Sequence, residues 1–212
     1  MPGSTEVLLI RHGESAPFRP GQPFPLLDGH GDPPLAPGGI EQAEAVGRRL
    51  AAETIHAVYV TSLQRTHQTA APLAAALGLT PLVEPELREI FLGDWEGGVL
   101  RQKAAENDPV YVQVQEQQDW GLIPGAESFA ALQDRCVAAI GRIHAAHPDQ
   151  RVAVVVHGGV IGTYLAHALA MPYSLWMTCE NTSISKVRVG PDGAHVVTVN
   201  DAHHLFDPIL KV

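Results

Sequence analysis

The chain has 212 residues, enough for one domain with a sizeable core, and its 45% hydrophobic and 17% charged residues are those of an ordinary globular protein. A formal net charge of -9 argues against nucleic acid as a partner. It does not exclude a small anion, because screening over roughly 8 Å leaves that choice to the local arginines.

No apolar run approaches the ~20 residues of a membrane span. Residues 1–5 show neither a basic start nor an apolar h-region, so export is not expected. Cys136 and Cys179 have no metal-ligand spacing, and Cys136 falls on an apolar helical face. The expectation is a cytoplasmic protein without disulfides.

In chain order, Val7, Leu8, Leu9 and Ile10 form an apolar run that predicts a strand buried on both faces of a parallel sheet. Arg11-His12-Gly13-Glu14-Ser15 follows at once, at the strand end where open α/β sheets bind ligands. An imidazole beside a guanidinium there suits an anionic substrate. Residues 16–37 carry Pro17, Pro20, Pro23, Pro25, Pro33 and Pro34, which excludes a regular helix or central strand. This loop starts so close behind His12 that it is expected to wall a pocket, with Arg19 and His30 as candidates to reach substrate.

Residues 38–53 read as a helix with Ile40, Ala43, Val46, Gly47 and Leu50 inward and Glu41, Glu44, Arg48 and Arg49 in solvent. Ala36 stands where a capping Ser or Thr would add about 1 kcal/mol. A strand over 57–60 leads into a helix that starts at Thr61 or Ser62 and runs to about Leu77, with Thr61 and Gln64 as a capping box. Ser62, Arg65 and Thr69 share one face of it. An arginine in the first turn opposes the helix dipole, and a bound phosphate would explain it. His67 is expected at the surface.

Residues 82–83 read as a short strand, 84–98 as irregular chain, and 99–124 as one or two short helices broken at Asn107-Asp108-Pro109. From Ala126 a long helix turns Phe129, Leu132, Cys136, Ala139, Ile140 and Ile143 inward and ends between His144 and Pro148. A second buried strand over 151–156 runs into His157-Gly158-Gly159 and a helix over 158–170, whose first N–H groups suit an anion. Residues 184–189 and 194–200 read as two edge strands around the turn at 191–193. The expected architecture is α/β, a three-layer α/β/α sandwich on a mainly parallel sheet. Residues 1–212 are taken as one domain, with about 99–124 as a helical lid insertion.

Arg11, His12, Arg65 and His157 thus fall just past three strand ends. Arg11-His12-Gly13 near the start and His157-Gly158 late in the chain, in this order and on these elements, resemble the histidine phosphatase (phosphoglycerate mutase-like) superfamily. The stretch 35–43 is similar to that family's Leu-Thr-x-x-Gly-x-x-Gln-Ala, and 84–98 to its Leu-x-Glu…Gly-x-Trp-Glu-Gly. The resemblance implies a phosphoglycerate mutase-like fold and assigns His12 as the nucleophile that forms a phosphohistidine, a choice spacing alone does not make. It leaves His157 as a donor to phosphoryl oxygens and matches Glu89 to the family's acid, with Glu14 and Glu96 as lesser candidates. A planar, permanently charged guanidinium suits phosphoryl oxygens, so Arg11, Arg65 and the start of the helix at Gly158 are the expected phosphate ligands.

Neither a Walker-type loop nor an aspartate cluster for magnesium stands in the sequence, so no metal and no cofactor is expected. Mutases of the family carry Glu-Arg-His-Tyr-Gly where this chain has Glu89-Ile90-Phe91-Leu92-Gly93, and Ala16-Pro17-Phe18 replaces their aromatic and Asn. The expectation is therefore a metal-independent phosphomonoester hydrolase for a small phosphorylated metabolite, with neither nucleic acid nor membrane as partner and a homodimer left open. The alternatives are a phosphoglycerate mutase with altered contacts and a catalytically silent phosphate-binding regulatory module.

Overall fold

The computed structural model describes residues 2–172 and 177–206. Its strands are β1 (Thr5–Arg11), β2 (Leu26–Leu27), β3 (His30–Gly31), β4 (Ala57–Val60), β5 (Leu82–Val83), β6 (Arg151–Val156), β7 (Ile184–Gly190) and β8 (Gly193–Asp201). Its helices are α1 (Pro37–Leu50), α2 (Gln64–Leu77), α3 (Val99–Ala105), α4 (Pro109–Gln117), α5 (Phe129–Ala146) and α6 (Gly158–Ala168). Six strands form one sheet in the order β5-β4-β6-β1-β7-β8, while β2 and β3 pair separately. Pairing is parallel from β5 to β1 and antiparallel from β1 to β8.

Side chains alternate across a strand, and that alternation builds the layers. Val7, Leu9, Val152, Val154 and Val156 face a core closed by Leu132, Cys136, Ile140 and Ile143 of α5 and Ile161 and Leu165 of α6. Leu8, Ile10, Val58, Val60, Ala153 and Val155 face the other way, against Val46 and Leu50 of α1 and Ala70 and Leu73 of α2. Continuous apolar runs are thus two interleaved faces, each covered by helices. Cys136 and Cys179 are both buried and free. No helix of the described residues is long and apolar enough to cross a membrane.

Register sets the site. Arg11 pairs with Val156 and Val60 with Val155, so His12, His157 and Thr61 leave the sheet side by side at its C-terminal edge. The chain then needs room: a Cβ on Gly13 would lie 2.5 Å from the carbonyl oxygen of Gly39, and one on Gly39 would lie 2.1 Å from that of Glu14. Both obstacles are backbone, so glycine is required where the loop after β1 crosses the start of α1.

Four expectations are corrected. β7 is not an edge strand; it lies between β1 and β8, because the turn after it brings β8 outside it. Ile40 does not face inward but is 53% exposed, since Gly39, Ala43 and Val46 take the inner face of α1. The next helix starts at Gln64 rather than Thr61 or Ser62, with Leu63 at its N-cap and no side-chain cap of its own. The capping box between Thr61 and Gln64 does not form. Asp32 Oδ1, from the proline-rich loop, accepts the Gln64 N–H at 2.8 Å instead, and Gln64 Nε2 donates to the Asp32 carbonyl.

Candidate active site

A cavity of about 480 Å³ opens at this sheet edge, and Arg11, His12, Glu14, Arg65, Glu89 and Glu96 are among the residues lining it. His12 is buried at its base. Its Nδ1 lies 2.7 Å from the carbonyl oxygen of Gly13. A carbonyl only accepts, so the ring proton belongs on Nδ1 and Nε2 carries the lone pair. Arg65 Nε donates toward that nitrogen at 3.3 Å. Burial above all, then the Arg65 charge and, more weakly, those of Arg11 and Arg101, hold the His12 pKa well below the usual value; the bond to Gly13 opposes them. The ring is therefore neutral at neutral pH.

The two arginines flank it. Arg65, in the first turn of α2, is buried, donates Nη1 to the Gly31 carbonyl at 2.9 Å and lies 3.9 Å from Asp32. Arg11 ends β1; its Nη1 donates to the Cys179 carbonyl, and its buried Nε has no partner among the described residues. Asn181 Nδ2 ties the His12 carbonyl at 2.9 Å and joins the cavity wall.

His157 is placed differently from His12. It is wholly buried and does not line the cavity; its ring centroid lies 5.2 Å from that of His12, edge to face. Its Nε2 is 3.2 Å from Thr61 Oγ1, and its buried Nδ1 has no partner among the described residues. Burial first, then Arg65 and His12, depress its pKa well below the usual value. Thr61 Oγ1 also lies 3.2 Å from Thr66 Oγ1, whose own proton goes to the Leu63 carbonyl at 2.8 Å, so His157 ends a short chain of buried hydroxyls.

Glu89 arrives on the irregular chain after β5. Its Oε1 accepts the Ile90 N–H at 3.0 Å and its Oε2 the Gly159 N–H at 3.3 Å. A Cβ on Gly159 would stand 2.5 Å from Glu89 Oε1, so the glycine admits the carboxylate to the start of α6. That amide, expected to face an anion, is already taken by the Glu89 carboxyl group. Gly158 lies beside Arg11 Nε, 3.7 Å from where its Cβ would be, and does not line the cavity.

Of the two candidates on the proline-rich loop, His30 lines the cavity and Arg19 does not. Burial, then Arg88 and Arg135, lower the His30 pKa to about 4. Glu96 is bound by the N–H groups of Gly31 and Leu92 at 2.6 and 2.9 Å, whereas Glu14 is exposed. The sequence reading missed Asn181 and Arg101. Arg101, on α3, donates to the Ala16 carbonyl and Ser15 Oγ, sits 5.0 Å from the Phe24 ring centroid and lines the cavity. Among the described residues no three His, Cys, Asp or Glu side chains are grouped to hold a metal ion.

Chemically, the site offers an uncharged ring whose Nε2 lone pair meets the Arg65 guanidinium, with Arg11 and the Glu89 carboxyl group also on the cavity wall. Residues 7–202 match the family profile of the histidine phosphatase superfamily (branch 1). The phosphoglycerate mutase-like protein 4 of Arabidopsis thaliana is 36% identical over 159 residues, 74% of this chain and 67% of that protein. The adenosylcobalamin/alpha-ribazole phosphatase of Escherichia coli (strain K12) is 32% identical over 169 residues, 77% of this chain and 79% of that one. Among solved structures, Bacillus stearothermophilus YhfR superposes with a TM-score of 0.80 at 28% identity, over 95% of this chain and 99% of the other.

Proposed function

This chain belongs to the histidine phosphatase superfamily (branch 1), and on that premise we propose that it is a metal-independent phosphomonoester hydrolase for a small phosphorylated metabolite, working through a phosphohistidine at His12. The observation that carries this is the unprotonated Nε2 of His12, oriented by the bond from Nδ1 to the Gly13 carbonyl and accepting from Arg65 Nε at 3.3 Å, the cation that would follow a phosphoryl group to it. Phosphoryl transfer asks chiefly for alignment and charge stabilisation. Arg11 and Arg65 supply the charge, and His157, packed behind His12 at 5.2 Å between ring centroids, holds that ring in place and donates to a phosphoryl oxygen once the phosphoryl group is on His12. Nε2 forms a bond to phosphorus as the bond to the leaving oxygen breaks, and Glu89 gives that oxygen its proton. Water then forms a new P–O bond as P–Nε2 breaks, its proton passing to the Glu89 carboxylate, which restores both residues.

Residues 99–124, holding α3, α4 and the turn Trp120–Leu122, serve as the lid of a single domain over 1–212. This is supported by Leu100 and Arg101 in the cavity wall. Ile90 and Leu92, where mutases have polar groups, line the cavity as apolar wall and favour release of phosphate to water over its return to substrate. One observation favours a mutase: Arg101 is a third cation on the cavity wall, opposite Ile90 and Leu92 in character, and would suit a second anionic group. Purified protein offered a panel of phosphomonoesters, and 3-phosphoglycerate separately, decides between them. The expected result is phosphate release without 2-phosphoglycerate; interconversion faster than phosphate release would establish the mutase, and phosphate binding without either would leave a silent module.

A further inference from the structure

Glu89 must be held accurately, yet the chain that carries it has no regular structure of its own beyond the short turn Pro85–Leu87. Arg135 of α5 stands behind it. Its Nε and Nη2 make a bidentate pair with Glu127, at 2.7 Å to Oε1 and 2.8 Å to Oε2. Its Nη1 donates to the carbonyls of Glu86 at 2.6 Å and Arg88 at 2.8 Å, and Nη2 donates to that of Glu89 at 3.1 Å. A guanidinium has five N–H donors, and here all five have acceptors. Glu127 continues the clamp: its Oε2 accepts the Phe91 N–H at 3.2 Å and its own N–H donates to the Phe91 carbonyl at 2.9 Å. The peptide groups on both sides of Glu89 are thus fastened to the start of α5 through one largely buried ion pair.

We propose that Arg135, oriented by Glu127, is the positioning residue that aims the Glu89 carboxyl at the leaving-group oxygen. This rests on the reading of Glu89 as the proton donor. Arg135 fixes the carbonyls of Glu86, Arg88 and Glu89, while the Glu89 carboxyl group is held at its other end by the Gly159 N–H. The pair Arg135–Glu127 is not among the residues of the cavity wall, so it acts through Glu89 and not on substrate. Three carbonyls and a bidentate carboxylate around one head group need the arginine fork. Lysine keeps the charge with only three donors on a point-like head, and cannot meet five acceptors.

Removing the clamp should therefore impair proton donation more than phosphate binding or attack by His12. The test compares kcat/KM for an alkyl phosphate and for p-nitrophenyl phosphate, whose leaving group departs without a proton. This ratio excludes hydrolysis of the phosphoenzyme, which follows the first irreversible step. Arg135→Lys should lower the alkyl value roughly 10²-fold, the loss typical of a group misplaced by about 1 Å, while the aryl value stays within about threefold. Glu127→Gln, a milder change, should shift the ratio in the same direction and keeps the test open if Arg135→Lys folds poorly. In a Glu89→Gln background, Arg135→Lys should add no further selective loss. Equal losses on both substrates would mark Arg135 as structural only and overturn the proposal. If Glu89→Gln itself spares alkyl substrates, the reading of Glu89 fails and this proposal with it; if Glu89→Gln is selective and both clamp variants are not, this proposal alone fails.

Discussion

A histidine attacks phosphorus only with an unprotonated nitrogen, and the surroundings of His12 keep one available. Burial and the neighbouring guanidinium of Arg65 hold its pKa well below 6.5, so Nε2 remains free where an exposed histidine would already be half protonated. In the ligand-free protein, ¹⁵N NMR of labelled histidine should show the Nδ1–H tautomer of His12 unchanged as pH falls from 8 through 6.5. A midpoint at or above 6.5 would contradict the electrostatic description. Arg11, His12, Arg65 and His157 were legible in the sequence because each sits within a few residues of the end of a strand whose apolar run is unmistakable. Asn181 and Arg101 were not, since one comes from the loop before β7 and the other from a poorly periodic helix, and only the folded chain brings them to the cavity. The sequence also placed His157 correctly at a strand end but could not show that it is buried behind His12 rather than on the cavity wall.

Elements meet at the site through caps and close approaches. α2 has no side-chain cap of its own, and Asp32 caps it across 32 positions of sequence while standing 3.9 Å from Arg65. Asp32→Ala should cost about 1 kcal/mol, as typical caps do, and should raise KM for phosphate esters by loosening the first turn that carries Arg65. Urea denaturation and steady-state kinetics on one preparation check both, and a stability loss without a change in KM would separate the cap from the site. α1 begins at Ala36 with extended backbone and no side-chain cap. Ala36→Ser should raise stability by about 0.5–1 kcal/mol, read as a higher urea midpoint at constant m, with kcat unaltered. The absent cap of α1 was legible because capping is local; the cap of α2 was not, because its acceptor comes from a loop without periodicity. The same limit explains β7: alternation marks a strand, but which strand lies at the edge is decided by pairing partners distant in sequence.

At the scale of the whole molecule, buried neutral histidines make stability depend on pH. His30 and His204 have pKa values lowered from 6.5 to about 4, in both cases mainly by burial. The unfolded chain takes up a proton on each as pH drops through 6.5, whereas the folded chain does so only near 4. Stability contributed by these rings is thus full above 6.5 and declines as pH falls from 6.5 toward 4, by about 1 kcal/mol per ring one pH unit below 6.5. Urea midpoints between pH 7.5 and 5 should fall accordingly, and His204→Gln should flatten the slope; an unchanged slope would contradict the burial of His204 as the cause. Catalysis at this scale is expected to need only the protein's own charges, so activity should survive exhaustive chelation, and a requirement for added magnesium would refute the role given to Arg11 and Arg65. Most direct is capture of the intermediate: mixing with ³²P-labelled phosphomonoester, a rapid quench that avoids acid, and mapping of the labelled peptide. An acid-labile phosphoryl group on His12, absent from His12→Ala together with all but a trace of turnover, is the expected result. Label on another residue, or turnover retained by His12→Ala, would contradict it.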